Sequence, residues 1–98
     1  MTAAPPFVAE HPPHPDFNAL SDDAFRNLVR EFVETHYPDI PRFAQRRLRW
    51  HEVRPWYGVL ARNGWLAPTW PQGLGGMGLG PAKHLILIEE NERFGCAR

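Results

Sequence analysis

The placement of the prolines constrains this chain more than any other feature. Proline has no backbone N–H and holds φ at about −65°, so it starts or ends helices and disrupts their interiors. Eleven prolines stand among 98 residues, about twice the average share. Pro5, Pro6, Pro12, Pro13 and Pro15 crowd the first twenty positions, where Phe7 and Phe17 are the aromatics. The stretch 1–20 is therefore expected to be a Pro-rich extended or mobile N-terminal tail, packed loosely over the domain. No P-x-x-P in it is framed by basic residues, which argues against a proline-motif ligand. His11 and His14 stand three apart, but two histidines on a tail lack the other ligands of a metal site.

From Ser21 onward the prolines mark element boundaries. Ser21 can cap a helix, and Asp22 and Asp23 put negative charge on its first turn, where the helix dipole favours it. Phe25, Leu28, Val29, Phe32 and Val33 then recur at helical spacing and form one apolar stripe. Arg26, Arg30, Glu31 and Glu34 point elsewhere, with Arg30 and Glu34 as an i,i+4 pair. Tyr37-Pro38 stops this helix, predicted over 22–37, because a residue before proline resists the α region. Pro38 and Pro41 bracket a turn. Phe43, Arg46, Arg47, Leu48, Arg49 and Trp50 follow as a candidate short helix.

Pro55 suits the first turn of a helix over 55–63 with Trp56, Val59 and Leu60 as its stripe. Asn63-Gly64 closes it, with Gly64 in a left-handed conformation and Trp65 placed for the contact that follows such a cap. Residues 64–81 read as an irregular loop. Pro81 opens the last helix, over about 82–94, and Gly95 ends it. The run His84-Leu85-Ile86-Leu87-Ile88 makes this helix apolar nearly all round, the pattern of a helix buried between others. Two other helices are too few to surround it. Trp50, Trp56, Trp65 and Trp70 also fall within 21 positions. Part of the set Trp50, Trp56, Trp65, Trp70, Leu85, Ile86, Leu87 and Ile88 is thus expected to be uncovered, as in a portion of something larger. The predicted fold class is all-α, an orthogonal helical domain of about three to four helices over 21–98.

Composition removes several function classes. A length of 98 residues allows one domain or less, because domains run to about 100–200 residues. Lys and Arg number 11 and Asp and Glu 11, so no nucleic acid partner is expected; such binders usually carry a basic excess. The single cysteine, Cys96, excludes a disulfide framework and a Cys-based zinc site. No apolar run is long enough for a membrane span, and no basic segment leads into an apolar one as in a secretory signal. The expected compartment is cytoplasmic. Five arginines (42, 46, 47, 49 and 54) face only Glu52 nearby. They read either as a patch for phosphate or an acidic partner, or as a solvated face whose stems cover aromatic surface. The zero net charge favours the second.

The chemical constellations are sparse. Gly73, Gly75 and Gly78 match G-x-G-x-x-G before a helix, but Trp70-Pro71 precedes them where a strand is needed. No Lys-Ser/Thr follows, so the glycines read as a tight connection needing left-handed φ and close approach. Glu89, Glu90 and Glu92 could be acid–base groups, but neighbours on a helix point about 100° apart. They read instead as a solvated helix face, with Glu89 and Arg93 as an i,i+4 pair. Ser21 is the only serine and is engaged as a cap. Cys96 has no activating base, and His36, His51 and His84 share no spacing. Residue patterning therefore assigns no catalytic, cofactor-binding or metal residues.

From Trp56 to the end, the chain resembles the N-terminal α-helical domain of the acyl-CoA dehydrogenase family. The motifs are Leu60-x-x-x-Gly64-Trp65, Ala67-Pro68-x-Trp70-Pro71, Gly75-Gly76-x-Gly78 and Glu89-Glu90…Arg93-x-Gly95. The opening helix, with Phe25, Val29, Arg30 and Phe32, sits where that family has its first, so the likeness covers about 22–98. Gln72 and Gly73 depart from it, standing where the family usually has an acidic residue after Trp-Pro. The resemblance implies a flavin enzyme with a helical first domain, a middle β-domain and a C-terminal helical bundle. FAD lies between the latter two and a neighbouring subunit, so a homo-oligomer is expected. A carboxylate base from the C-terminal half removes the α-proton of an acyl-CoA thioester while the β-hydride passes to the flavin. The chain matches roughly the first two-thirds of the first domain, so no FAD contact or base is carried over and none is expected to act in this chain alone. An acyl-CoA oxidase or flavin monooxygenase of the superfamily shares the same domain. From a different class, an autonomous helical protein-interaction module fits the Trp-rich surface.

Overall fold

The computed structural model describes residues 13–97. Three α-helices, with no strand among the described residues, make up the fold: α1 (Asp22–His36), α2 (Trp50–Arg62) and α3 (Pro81–Phe94). The expectation of an all-α fold holds. Short 3-10 turns at Phe17–Ala19 and Gln72–Leu74 lie outside them. None of the helices is long and apolar enough to cross a membrane.

α1 forms as its sequence dictates. The Ser21 Oγ accepts the Ala24 N–H at 3.1 Å, and Asp22 and Asp23 occupy the first turn. Phe25, Val29 and Val33 are fully buried, while Leu28 and Phe32 are partly covered. The Phe32 ring stacks on Trp65 at 3.8 Å, and Tyr37 meets Trp56 edge-on at 4.9 Å. α1 and α3 form the principal helix pair, and Trp56, Trp65, Met77, Leu79, Ile86 and Leu87 complete the core with them.

α2 begins at Trp50, five residues before the expected start, so Pro55 lies inside the helix. The cause is Glu52. Its carboxylate reaches back to accept the Arg49 N–H at 3.1 Å, which makes Arg49 the N-cap and starts the helix ahead of the proline. The candidate short helix over 43–50 does not form; residues 37–49 are an irregular strap. At the other end, Gly64 adopts φ 72°, and the Trp65 N–H bonds the Leu60 carbonyl at 2.8 Å. With Gly64 N–H on Ala61, this is the double closure of a Schellman cap, as the Asn63-Gly64 pair predicts.

Phe17, placed in the tail on sequence grounds, is a core residue, packed edge-on against Phe25 and Trp65. Asn18 anchors it, donating to the Gly78 carbonyl at 2.7 Å and accepting the Gly80 N–H at 2.8 Å. Gln72 donates to the Pro15 carbonyl at 2.9 Å. Residues 1–12, and with them Pro5, Pro6, Phe7, Pro12 and the His11 partner of the histidine pair, lie outside the described residues.

α3 corrects a second expectation. Its apolar run is not buried all round: Ile86 and Leu87 face the core, while Leu85 is 57% and Ile88 41% exposed. Lys83 and Glu90 are buried instead, towards α1. Trp50 and Trp70 are also more than half exposed. Part of the predicted apolar set is thus uncovered, while Trp56, Trp65, Ile86 and Leu87 are not.

Candidate functional site

The glycine loop is a closed structure. Gly75 and Gly78 adopt φ of 87° and 69°, conformations that L side chains rarely adopt. A Cβ on Gly76 would lie 2.1 Å from the Trp70 carbonyl oxygen, so only glycine fits there. Most of the N–H groups that a phosphate cradle would aim outward are engaged within the loop, that of Gly73 excepted. Gly75 bonds Gln72, Gly76 bonds Pro71, Met77 bonds Ala67, Gly78 bonds Trp70 and Leu79 bonds Pro68. Gly80 N–H, at the entrance to α3, is held by Asn18, and Pro81 has no N–H to offer. With residues 75–79 bonded inward and no strand ahead of them, the loop lacks the strand–turn–helix arrangement that holds a dinucleotide pyrophosphate.

The glutamates on α3 do not share one environment. Glu90 is 2% exposed, against the expectation of a solvated face. Its two carboxylate oxygens accept from Arg26 (3.0 Å), Arg30 (2.8 and 3.0 Å) and Arg93 (2.9 Å). The hydrogen bonds from Arg30, ahead of those from Arg93 and Arg26, outweigh burial and hold its carboxyl at about 2. Glu89, exposed, pairs with Arg26 at 2.9 Å, and Arg93 also reaches Glu34 at 3.2 Å. The i,i+4 pairs predicted within each helix give way to pairs across the α1–α3 interface. Lys83 joins Asp22 at 2.7 Å on the same seam. A carboxylate bound by three guanidiniums stays ionised and makes a poor proton acceptor, so this seam is structural.

Cys96 is half-buried, and loss of hydration raises its thiol to about 11, which argues against a nucleophile. His36 packs on Phe32 at 4.7 Å, and His14 bonds the Gly64 carbonyl at 3.0 Å. The structure does not bring His36, His51 and His84 together with other donors: no group of three or more His, Cys, Asp or Glu among the described residues could hold a metal ion.

What remains is surface. Leu66, Trp70 and Leu74 protrude from the connection between α2 and α3, and Leu85 and Ile88 from α3. The strap adds Phe43, at φ 52°, exposed and hydrogen-bonded through its N–H to Gly95. Between the strap, α2 and α3 lies a groove of about 810 Å³, lined by Trp56, Tyr57, Leu60 and Ile88 among others. Arg46 and Arg47 border both this groove and a second depression of about 570 Å³ with Arg49, His51 and Glu52. The Arg42 guanidinium lies 3.6 Å over the Phe94 ring and donates to the Phe94 carbonyl at 2.7 Å. Arg46 grips both oxygens of Glu52, holding that carboxyl at about 2. Sequence reasoning found these arginines but not the groove beside them, because its lining comes from the strap, α2 and α3 together.

No curated protein and no solved structure matches the chain. The family model described as acyl-CoA dehydrogenase, N-terminal domain, matches residues 21–98. That span contains all three helices, the glycine loop and the Glu90 seam, so the chain belongs to the acyl-CoA dehydrogenase family through its N-terminal domain.

Proposed function

We propose that this chain is the non-catalytic helical portion of a flavin-dependent acyl-CoA dehydrogenase, which α,β-dehydrogenates an acyl-CoA thioester in the cytoplasm. Its role is to pack against the β-domain and C-terminal helical bundle of a homo-oligomeric enzyme and to wall the acyl pocket. FAD belongs to those other parts. The inward bonding of the N–H groups of Gly75, Gly76 and Gly78 supports this reading, which assigns no step of the reaction to residues 13–97. Nor does the Glu90 carboxylate offer a base.

One observation carries the reading. Within a family domain, Leu66, Trp70, Leu74, Leu85 and Ile88 are uncovered while the core behind them is closed. Several large apolar side chains left uncovered beside a closed core support a place where another surface fits. The test supplies the β-domain and helical bundle of an acyl-CoA dehydrogenase to the purified chain. Stoichiometric association, with a blue shift of tryptophan emission that Trp70→Ala removes, is the expected result. No association, with tryptophan emission unchanged, would reject the packing role.

A further inference from the structure

The zero net charge of the chain conceals a segregation. Within residues 42–54, five arginines face one glutamate. Glu52 is taken by Arg46, and Arg42 is laid over Phe94. Arg47, Arg49 and Arg54 are exposed, and none has a carboxylate at ion-pair distance among the described residues. Beside them, Trp50 is exposed and its ring lies 5.6 Å from that of Tyr57. Arg46 and Arg47 line both depressions, so the groove with its apolar side chains adjoins the basic one.

An exposed Trp with Arg side chains and a half-buried Tyr around a partly apolar cleft are the residue types that dominate binding energy at protein interfaces. The charge selects the partner: an acidic segment is attracted along Arg47, Arg49 and Arg54, and a basic one is repelled. The groove also selects peptide over hydrocarbon. Gln45, Arg46, Arg47, Asn91 and Glu92 line it among the apolar side chains. An aliphatic chain would bring polar groups against hydrocarbon, whereas a peptide carries its own donors and acceptors.

We propose that this face docks a segment of a partner polypeptide whose apolar side chains enter the groove between α2 and α3 and whose carboxylates lie along Arg47, Arg49 and Arg54. The docking site deepens the packing role proposed above and rests on it; it shares Ile88 with that surface, whereas Trp70 and Leu85 line neither depression.

The probe is an acetylated dodecapeptide with two leucines and a phenylalanine followed by four glutamates, titrated into the full chain. Its lysine counterpart serves as control. Tryptophan fluorescence and amide shifts report binding. The glutamate peptide is expected to bind at least about 10-fold more tightly than the lysine peptide, with shifts at Tyr57 and Ile88. Raising salt from about 50 to about 300 mM weakens it several-fold. The double variant Arg47→Glu/Arg49→Glu reverses the preference; both side chains are exposed, and circular dichroism checks that the helices persist. Ile88→Lys, at the groove itself, weakens both peptides. Equal affinity for the two peptides, no binding of either, or a preference that survives the double variant would each overturn the proposal. If the peptides fail while the β-domain and bundle still associate through Trp70, the acidic partner is rejected and the packing role stands.

Discussion

Replacing Glu90 with glutamine tests the seam between α1 and α3. The amide keeps the shape of the carboxylate but removes the charge on which Arg26, Arg30 and Arg93 converge. Removing one partner from a buried ion pair costs about 3–5 kcal/mol, because the survivor is left without compensation. Here the survivors are three guanidiniums whose side chains keep 34–42% exposure, so they can regain water. The loss is accordingly expected to be about 2–3 kcal/mol. A small domain has roughly 5–10 kcal/mol in all, so this is a large fraction of it. With a urea m-value of about 1 kcal/mol/M, the midpoint falls by about 2–3 M at pH 7.

The pH dependence supplies an internal control. Glu90 is held at about 2 in the fold, below its ordinary 4.5. A lowered carboxyl stabilises the native state fully above 4.5, and that stabilisation is lost as pH falls from about 4.5 towards about 2. The gap between wild type and Glu90→Gln should therefore close as urea denaturation is repeated down to acid pH. Glu52, held at about 2 as well, contributes the same acid loss to both proteins. Glu89→Gln, at an exposed carboxylate, should cost under about 0.5 kcal/mol. A Glu90→Gln protein as stable as wild type at pH 7, or a gap unchanged in acid, would refute the reasoning.

Gly76→Ala should prevent normal folding or cost at least about 3 kcal/mol by chemical denaturation, because its Cβ would collide with the Trp70 carbonyl, while Gly73→Ala, in open space, should stay within about 0.5 kcal/mol. Phe32→Asp places a carboxylate against the Trp65 ring and should cost roughly 3–5 kcal/mol in the same assay. Arg26→Asp, neutral if Arg26 simply faced water, should destabilise too, because it sets a third carboxylate beside Glu89 and Glu90. Cys96, with its thiol near 11, should react with iodoacetamide at pH 8 far more slowly in the folded chain than in urea, and equal rates would count against its burial.

How much of this was legible in the sequence depended on how local each cause was. α1 was readable because its cap, first-turn charge and apolar stripe all lie within one segment. The ends of α2 and α3 were readable because Gly64 and Gly95 act on their own turns. The start of α2 was misread because Arg49 lacks the short capping side chain that flags an N-terminus. The available signal was Glu52, three residues on, reaching back. Phe17 was hidden by its prolines, since its anchor, Asn18, bonds a loop 60 residues away. The Glu90 seam was missed because the i,i+4 rule sees only one helix. A hint did exist: Arg26 and Arg30 repel each other at that spacing unless a carboxylate from elsewhere lies between them. The uncovered apolar surface was foreseen in kind but not in place, because which side of α3 is covered depends on where α1 lies.

The central proposal is that this chain, a member of the acyl-CoA dehydrogenase family, packs within that enzyme without carrying its chemistry. The most direct measurement is a titration of FAD, followed by a medium- or long-chain acyl-CoA, into the purified chain with flavin absorbance and dye reduction monitored. The titration is then repeated with the β-domain and helical bundle supplied. The account predicts no bound flavin and no turnover for the chain alone, because the glycine loop has residues 75–79 bonded inward and lacks the strand that would aim it at a pyrophosphate. It predicts both once the other domains are present. Stoichiometric FAD binding by the chain alone would contradict it and make the glycine loop a cofactor site.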